Sequence, residues 1–308
     1  MIDVLIINWN TKEKIEECLN ALFEMIDEIP YKVLITVVDN GSIDGSVEYL
    51  DSLGGGINLI KNRSNLGYAK AVNIGLKSMQ MNEFVLLLNS DALVNSVALE
   101  GMVSYLDQNS DVAGVTPSLK INREEYQFGG AGWGPSLFTV INSFLFMEKI
   151  NSYFRGLFIN QRYYSRCVNS VSVTWIAFAC ALIRRDALSE VGQLNEKFFV
   201  YAEDCDWCWR AVSEGWKFGY LPYLNVYHEL AGSSENRGLT NHDWYVNLLK
   251  VFKQNVNPPK YIAILLVALL GWLIRFLIFI PLALFRIKYT PRRDFYFNMI
   301  KITIVGLT

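Results

Sequence analysis

Three apolar runs in the first third of the chain, residues 4–7, 33–38 and 84–88, each stop at a polar tip. The tips are Asn8-Trp9-Asn10, Asp39-Asn40-Gly41-Ser42 and Asn89-Ser90-Asp91. Runs that are continuously apolar, rather than alternating, suit strands buried on both faces of a parallel sheet. Between them, Thr11 followed by Lys12-Glu13-Lys14 opens an amphipathic helix with Ile15, Cys18, Leu19 and Leu22 on one face. A further helical segment covers about residues 69–79. This is the βαβα order of an open α/β sheet, whose ligands bind where the strands end. The three tips are therefore expected to share one edge and to form a pocket there.

A second signal is acidic. Glu203, Asp204 and Asp206 fall within four positions, among Phe198, Phe199, Trp207 and Trp209. Desolvating an unpartnered carboxylate is costly, so such a cluster marks a cleft mouth, a metal, or a substrate proton to be removed. A solvated acidic helix start, favoured by the helix dipole, is the plainer alternative. Taken with Asn89-Ser90-Asp91, the cluster points to a metal-assisted transfer enzyme with a separate base.

The bulk properties narrow the field. At 308 residues there is room for one large domain or two modest ones. A net charge of -2 gives no reason to expect a nucleic-acid partner. The start of the chain lacks a basic segment before its short apolar run, so the catalytic part is expected to remain in the cytosol. Five cysteines, an odd number, argue against a disulfide framework. Cys205 and Cys208 form a C-x-x-C that reads as two small apolar side chains at helical spacing rather than half of a zinc site. The glycine-rich stretch 128–135 is either a mobile flap or a plain connection.

The order of these motifs resembles the inverting family-2 glycosyltransferases of GT-A fold, and within them the rhamnosyltransferase-like branch. The resemblance runs from residues 4–10 through 37–42, Asn65-Leu66-Gly67-Tyr68-Ala69-x-Ala71-x-Asn73-x-Gly75 and 88–91. It continues through Arg184-Arg185-Asp186, residues 191–199, Glu203-Asp204-x-Asp206 and Val226-Tyr227-His228, and so covers about the first 230 residues. It implies a Rossmann-like mixed sheet with flanking helices. It further implies a donor made of a sugar on a nucleoside diphosphate (dTDP or UDP), a Mg2+ or Mn2+ ion, and a glycan or lipid-linked glycan acceptor.

Residue by residue, the resemblance assigns Asn8, Trp9, Asn10, Asp39, Asn65, Gly67, Asn73, Asn89, Ser90 and Asp91 to the nucleotide sugar. Asp39 would accept the imide N–H of a uracil or thymine, with an Asx-turn before Gly41 as the alternative or companion role. Lys61 and Arg63 could contact phosphate or simply solvate their loop. Asn89-Ser90-Asp91 stands where the family carries Asp-x-Asp, which leaves Asp91 as the only charged ligand of that motif. His228 falls where relatives carry a further ligand, so Asp91 and His228 are the expected metal ligands. Asp204 would be the general base, removing the acceptor's proton in a single inverting displacement. Trp175, Glu203, Asp206, Trp207 and Arg210 would line the acceptor side, with an Asp206–Arg210 ion pair and core packing as the competing roles.

Beyond Pro258-Pro259 the character changes. Residues 261–285 are apolar and long enough to cross a bilayer, interrupted by Arg275 and Pro281. Basic residues stand on both flanks, Lys250, Lys253 and Lys260 before and Arg286, Lys288, Arg292 and Arg293 after. A single span would leave one cluster on the wrong side, so an in-plane or re-entrant helix pair at the cytosolic face of the membrane is expected, with residues 300–307 as a second apolar contact. A buried core helix is the alternative. The expected division is 1–110 for the nucleotide-sugar half, 111–250 for the acceptor half with the base, and 251–308 for membrane-associating helices. Two rivals stand beside a transferase. A dinucleotide-binding protein lacks its G-x-G-x-x-G here, where Asn8-Trp9-Asn10 stands instead. A catalytically inactive nucleotide- or glycan-binding scaffold on the membrane is kept open by Asn89.

Overall fold

The computed structural model describes residues 1–79, 82–122, 124–134, 136–147, 155–159, 164, 167–229 and 241–307. Pro135, at the end of the glycine-rich stretch, lies outside these residues, as does the side chain of His242. The chain forms two compact units, Met1–Gly132 with Ile159–Gly238, and Trp133–Phe158 with Leu239–Thr308. Within the first unit, strands from both sides of residue 110 share one sheet.

In the first unit, β1 (Ile2–Asn8), β2 (Val33–Asp39), β3 (Asn58–Lys61) and β4 (Phe84–Asn89) are parallel and lie in the order β3-β2-β1-β4. Every residue of β1 is buried, which is what its uninterrupted apolar sequence requires. β5 (Ala92–Leu93), β6 (Val112–Lys120), β8 (Val171–Val173), β10 (Cys180–Arg184) and β11 (Lys217–His228) complete a nine-stranded mixed sheet among the described residues. β10 runs antiparallel between β4 and β6. β7 (Ala131–Gly132) and β9 (Trp175–Ile176) form a separate two-stranded ladder. The glycine-rich stretch is thus neither a flap nor a plain connection: Ala131 and Gly132 are paired with Ile176 and Trp175.

Helices α1 (Lys12–Ile26), α2 (Ser46–Ser52), α3 (Tyr68–Ser78) and α4 (Ser96–Gln108) belong to this unit. Ile15, Cys18, Leu19 and Leu22 form the buried face of α1, as their spacing predicts. The second unit contains α5 (Leu137–Phe144), and the first contains α6 (Arg185–Val191) and α7 (Glu203–Ser213). The second unit continues with α8 (Asn241–Asn255), α9 (Pro258–Phe285) and α10 (Thr290–Leu307).

The register of the parallel strands places the polar tips together. Asn8 pairs with Asp39 across β1 and β2, and Ile7 pairs with Asn89 across β1 and β4. Side-chain functions of the three tips therefore emerge at one carboxyl edge.

Candidate active site

The edge is held by a continuous chain of hydrogen bonds. Asn8 Nδ2 donates to Asp39 Oδ2 at 2.8 Å and to Ser42 Oγ at 3.2 Å. The Thr11 hydroxyl donates to Asn8 Oδ1 at 2.7 Å. Its single proton is then committed, so Ser90 Oγ, 2.9 Å away, donates to Thr11. Thr11 precedes α1 without capping it through its side chain. Asp39 is fully buried, and its Oδ1 accepts the N–H groups of Gly41 and Ser42 at 3.1 and 2.9 Å. The Asx-turn is the role this geometry displays. Asn10, at φ 53°, donates its backbone N–H to Ser42 Oγ and accepts from Ile43 N through its side chain.

Asn65 and Gly67 form the next turn. Asn65 Oδ1 accepts from Asn40 Nδ2 at 2.9 Å and from Gly67 N at 3.0 Å. Gly67 has φ +86°, and a Cβ there would lie 2.6 Å from the Phe199 carbonyl oxygen. The following Tyr68 donates its N–H to that same carbonyl at 2.7 Å. The nucleotide-side turn and the loop leading to the acidic cluster are thereby joined backbone to backbone.

Asp204, half-buried, stands in the first turn of α7. Its carboxylate accepts from the N–H of Cys205 at 2.7 Å and from that of Phe178. Burial pushes its pKa up to about 6, against the pull of these hydrogen bonds. The next residue after Phe178 ties this point to the sheet edge, because the Ala179 carbonyl accepts the N–H of Asn89 at 2.9 Å. Tyr68 lies within the same field and donates its hydroxyl to the Phe178 carbonyl at 3.2 Å. That hydroxyl's pKa is raised well above the ordinary tyrosine value, first by burial and then by the charges of Glu203, Asp204 and Asp91. Asp91 and Asp204 thus both act electrostatically on one hydroxyl. Tyr201 and Ala202, immediately before α7, both have positive φ (67° and 71°), a conformation costly for residues with a Cβ and common where function fixes the backbone.

On the other side of Asn89, His228 ends β11. Its Nε2 is 3.2 Å from Asp91 Oδ1 and 3.2 Å from Asn89 Nδ2, and the side chains of His228 and Asp91 are each 8% exposed. Its Nδ1 is 2.6 Å from Gln127 Oε1. An Nδ1–H donated to Gln127 leaves the Nε2 lone pair to accept from the Asn89 amide, beside the Asp91 carboxylate oxygen. One carboxylate and one imidazole, once released from the Asn89 amide, would suit a divalent ion whose remaining ligands are phosphate oxygens and water. No group of three or more His, Cys, Asp or Glu side chains able to hold a metal occurs among the described residues.

Several expected site residues stand elsewhere. Trp207 is fully buried, donates its indole N–H to Gly192 O at 2.8 Å and packs edge-on against Phe178 and Phe218, so it belongs to the core rather than the acceptor side. Asp206, 4% exposed, pairs with Arg210, and Arg210 also donates to the carbonyls of Val191 and Gln193. This pair stitches α7 to the end of α6. Asn73 is likewise consumed by structure: its amide meets Leu194 O, Leu194 N and the Glu196 carboxylate. Glu203 and Trp175 are 6% and 8% exposed, which limits them to the margin of any acceptor groove. Trp9 is half-buried beside Asn8. Lys61 pairs with Asp51. Cys205 and Cys208 are buried thiols raised well above the ordinary cysteine range by desolvation, as the apolar reading requires. Tyr68, Thr11 and Gln127 were missed as site residues. Tyr68 lay inside a quoted motif, whereas nothing in the sequence near Gln127 marks it.

A mixed sheet of this order, with a polar carboxyl edge and an acidic helix start tied to it, defines a nucleotide-sugar transferase of GT-A type. Residues 3–192 match the glycosyl transferase family 2 profile, and the chain belongs to that family. It is rhamnosyltransferase-like: an N-acetylglucosaminyl-diphospho-decaprenol L-rhamnosyltransferase of Mycobacterium tuberculosis is 23% identical over 249 residues, covering 76% of this chain and 78% of the relative. The mannosyltransferase PcManGT from Pyrobaculum calidifontis, solved with GDP-Man and Mn2+, has a TM-score of 0.59 at 17% identity, over 99% of this chain and 86% of that one. GalNAc-T7, solved with UDP, GalNAc and Mn2+, also has a TM-score of 0.59, at 15% identity, but this chain covers only 48% of its length.

Proposed function

We propose that this glycosyltransferase transfers a sugar with inversion from a nucleoside diphosphate to a lipid-linked or cell-surface glycan, with dTDP-rhamnose as the leading donor. The observation that carries the reading is the junction at Phe178-Ala179, which links the Asp204 carboxylate on one side to Asn89, Asp91 and His228 on the other. The donor base lies near the Asp39 turn and the diphosphate beside Asp91 and His228. A divalent cation bound there would neutralise charge building on the leaving diphosphate.

Asp204 removes the proton from the acceptor hydroxyl as that oxygen forms its bond to the anomeric carbon and the bond to the diphosphate breaks. A carboxylate whose proton affinity has been raised by burial, and which is still ionised at neutral pH, suits that role. Tyr68, whose hydroxyl donates to the Phe178 carbonyl, braces the junction that links the two carboxylates. The rhamnosyl donor and lipid-linked acceptor follow the named relative from Mycobacterium tuberculosis. The second unit holds the chain at the cytosolic face of a membrane, where such an acceptor resides; one helix there, Pro258–Phe285, is long and apolar enough to cross a bilayer.

The direct test is Asp204→Asn, assayed for transfer across a panel of dTDP- and UDP-sugars while calorimetry follows nucleotide binding. Transfer is expected to fall by ~10²–10⁴-fold with nucleotide affinity intact. Wild-type transfer by a folded Asp204→Asn protein would remove the proposed base.

A further inference from the structure

The second unit carries an apolar stripe with no charge on it. Ile262, Leu266, Leu270, Leu273, Leu277 and Leu284 recur at helical spacing on α9 and are between 38% and 77% exposed. They cover about 33 Å of helix at 1.5 Å per residue. Over the first half of α9 the opposite face, with Tyr261, Ile264, Leu265, Ala268 and Gly271, is buried within the unit. Beyond Lys260 in its first turn, the one charged residue of the helix is Arg275, which points to that inner side and donates to the carbonyls of Ser143 and Phe144, which end α5. Gly271 permits the approach, since a Cβ there would lie 2.7 Å from Phe144 O.

The neighbour α10 decides how this stripe can meet lipid. It lies antiparallel beside α9: Gly306 faces Leu265 and Tyr261, Phe295 and Tyr296 contact Trp272, and Phe297 stacks on Phe276. Asp294, Asn298 and Lys301 on α10 are exposed, at the level of the middle of α9. An upright α9 would carry those groups into the hydrocarbon, among the costliest places for ionised side chains. An α9 lying flat buries the stripe, with Ile278, Leu282 and Phe285 at its margin toward the basic turn, and leaves those groups in water. The charge balance selects the lipid. Residues 241–307 contain nine Lys and Arg against two Asp, in a chain whose net charge is -2. Four of those cations, Arg286, Lys288, Arg292 and Arg293, cluster at the turn between α9 and α10.

We infer that α9 does not span the membrane but lies in its plane, seating the leucine stripe in the headgroup boundary of an anionic bilayer while the basic α9–α10 turn contacts acidic lipid headgroups. This deepens the membrane assignment proposed above and is independent of the sugar chemistry.

The test uses the full chain with vesicles of phosphatidylcholine, with and without phosphatidylglycerol. Binding is expected to strengthen at least ~10-fold with the acidic lipid, and that gain should vanish in Arg286→Glu/Lys288→Glu. Leu266→Glu/Leu270→Glu should release the protein from both vesicle types while its affinity for UDP and dTDP, read by calorimetry, stays unchanged. Loss of nucleotide binding in the wild-type chain would instead count against the transferase reading alone. Nitroxide labels at Ile262→Cys, Leu270→Cys, Leu277→Cys and Leu284→Cys, each in a Cys167→Ser background, should report one shallow depth. Labels deepest at positions 270 and 277 and shallow at 262 and 284 would show a span and overturn the inference. So would a chain that ignores vesicles and dimerises through the stripe in ultracentrifugation.

Discussion

At Asp204, the burial that raises the carboxyl's affinity for a proton also penalises the folded state once that proton is lost. A rise from 3.8 to about 6 is worth on the order of 2–3 kcal/mol. The native state holds the proton more tightly than the unfolded chain, so this stability is fully present below pH 3.8 and is lost as pH rises through about 6. Asp204→Asn should therefore be more thermostable than the wild type at pH 7 and indistinguishable from it near pH 4, as measured by thermal melts at both pH values. Activity has the opposite sign, since only the ionised form accepts a proton. The rate under subsaturating substrate should fall about tenfold per pH unit below pH 6. A flat profile through that region would detach the base from Asp204. Gln127 is the residue the sequence least announced, because it acts only through a ring 101 positions away. Replacing it with Leu is expected to weaken Mn2+ binding to the UDP- or dTDP-loaded protein ~10–100-fold by calorimetry, while Gln127→Glu retains it. Asp204, Asp91 and His228 stand out in the sequence because chemistry limits which residue types can serve as a base or a metal ligand. Trp207, Asp206 and Asn73 are held by internal contacts, a use for which aromatic, charged and amide side chains are as good as they are for binding a ligand.

Among the elements, the parallel strands β1, β2 and β4 and the face of α1 were legible from apolar periodicity alone, since burial on both sides dictates their composition. The two-residue ladder of β7 and β9 was not, because so short a strand carries no period and its glycines read as a connection. The loop from Phe198 to Ala202 is the element on which the site most depends. Its Phe199 carbonyl is gripped by the Tyr68 N–H while Tyr201 and Ala202 sit at positive φ. Gly67→Ala would drive a Cβ to 2.6 Å from that carbonyl at a φ of +86°. A destabilisation of roughly 1–3 kcal/mol is expected in urea titrations. Turnover should fall further than folding alone explains, because displaced backbone at residue 199 moves the start of α7. Unchanged stability and turnover would mean the turn is not the brace described here.

On the scale of the whole molecule, chain order hid the division into units. Trp133–Phe158 leaves the first unit and packs with the C-terminal helices, in which Arg275 ends α5. An apolar run interrupted by one arginine looks the same in sequence whether that arginine faces lipid, water or two carbonyl oxygens. The sheet edge, by contrast, was set by three strand ends whose register follows from their burial. The central claim is that this edge and Asp204 enclose one donor site. It is tested most directly by a crystal structure with dTDP or UDP and Mn2+. The metal's anomalous signal should fall between the diphosphate and the Asp91 carboxylate, with His228 Nε2 as a ligand and the open side of the site facing Asp204. Nucleotide bound away from the β1, β2 and β4 ends, or metal out of reach of Asp91, would contradict the account.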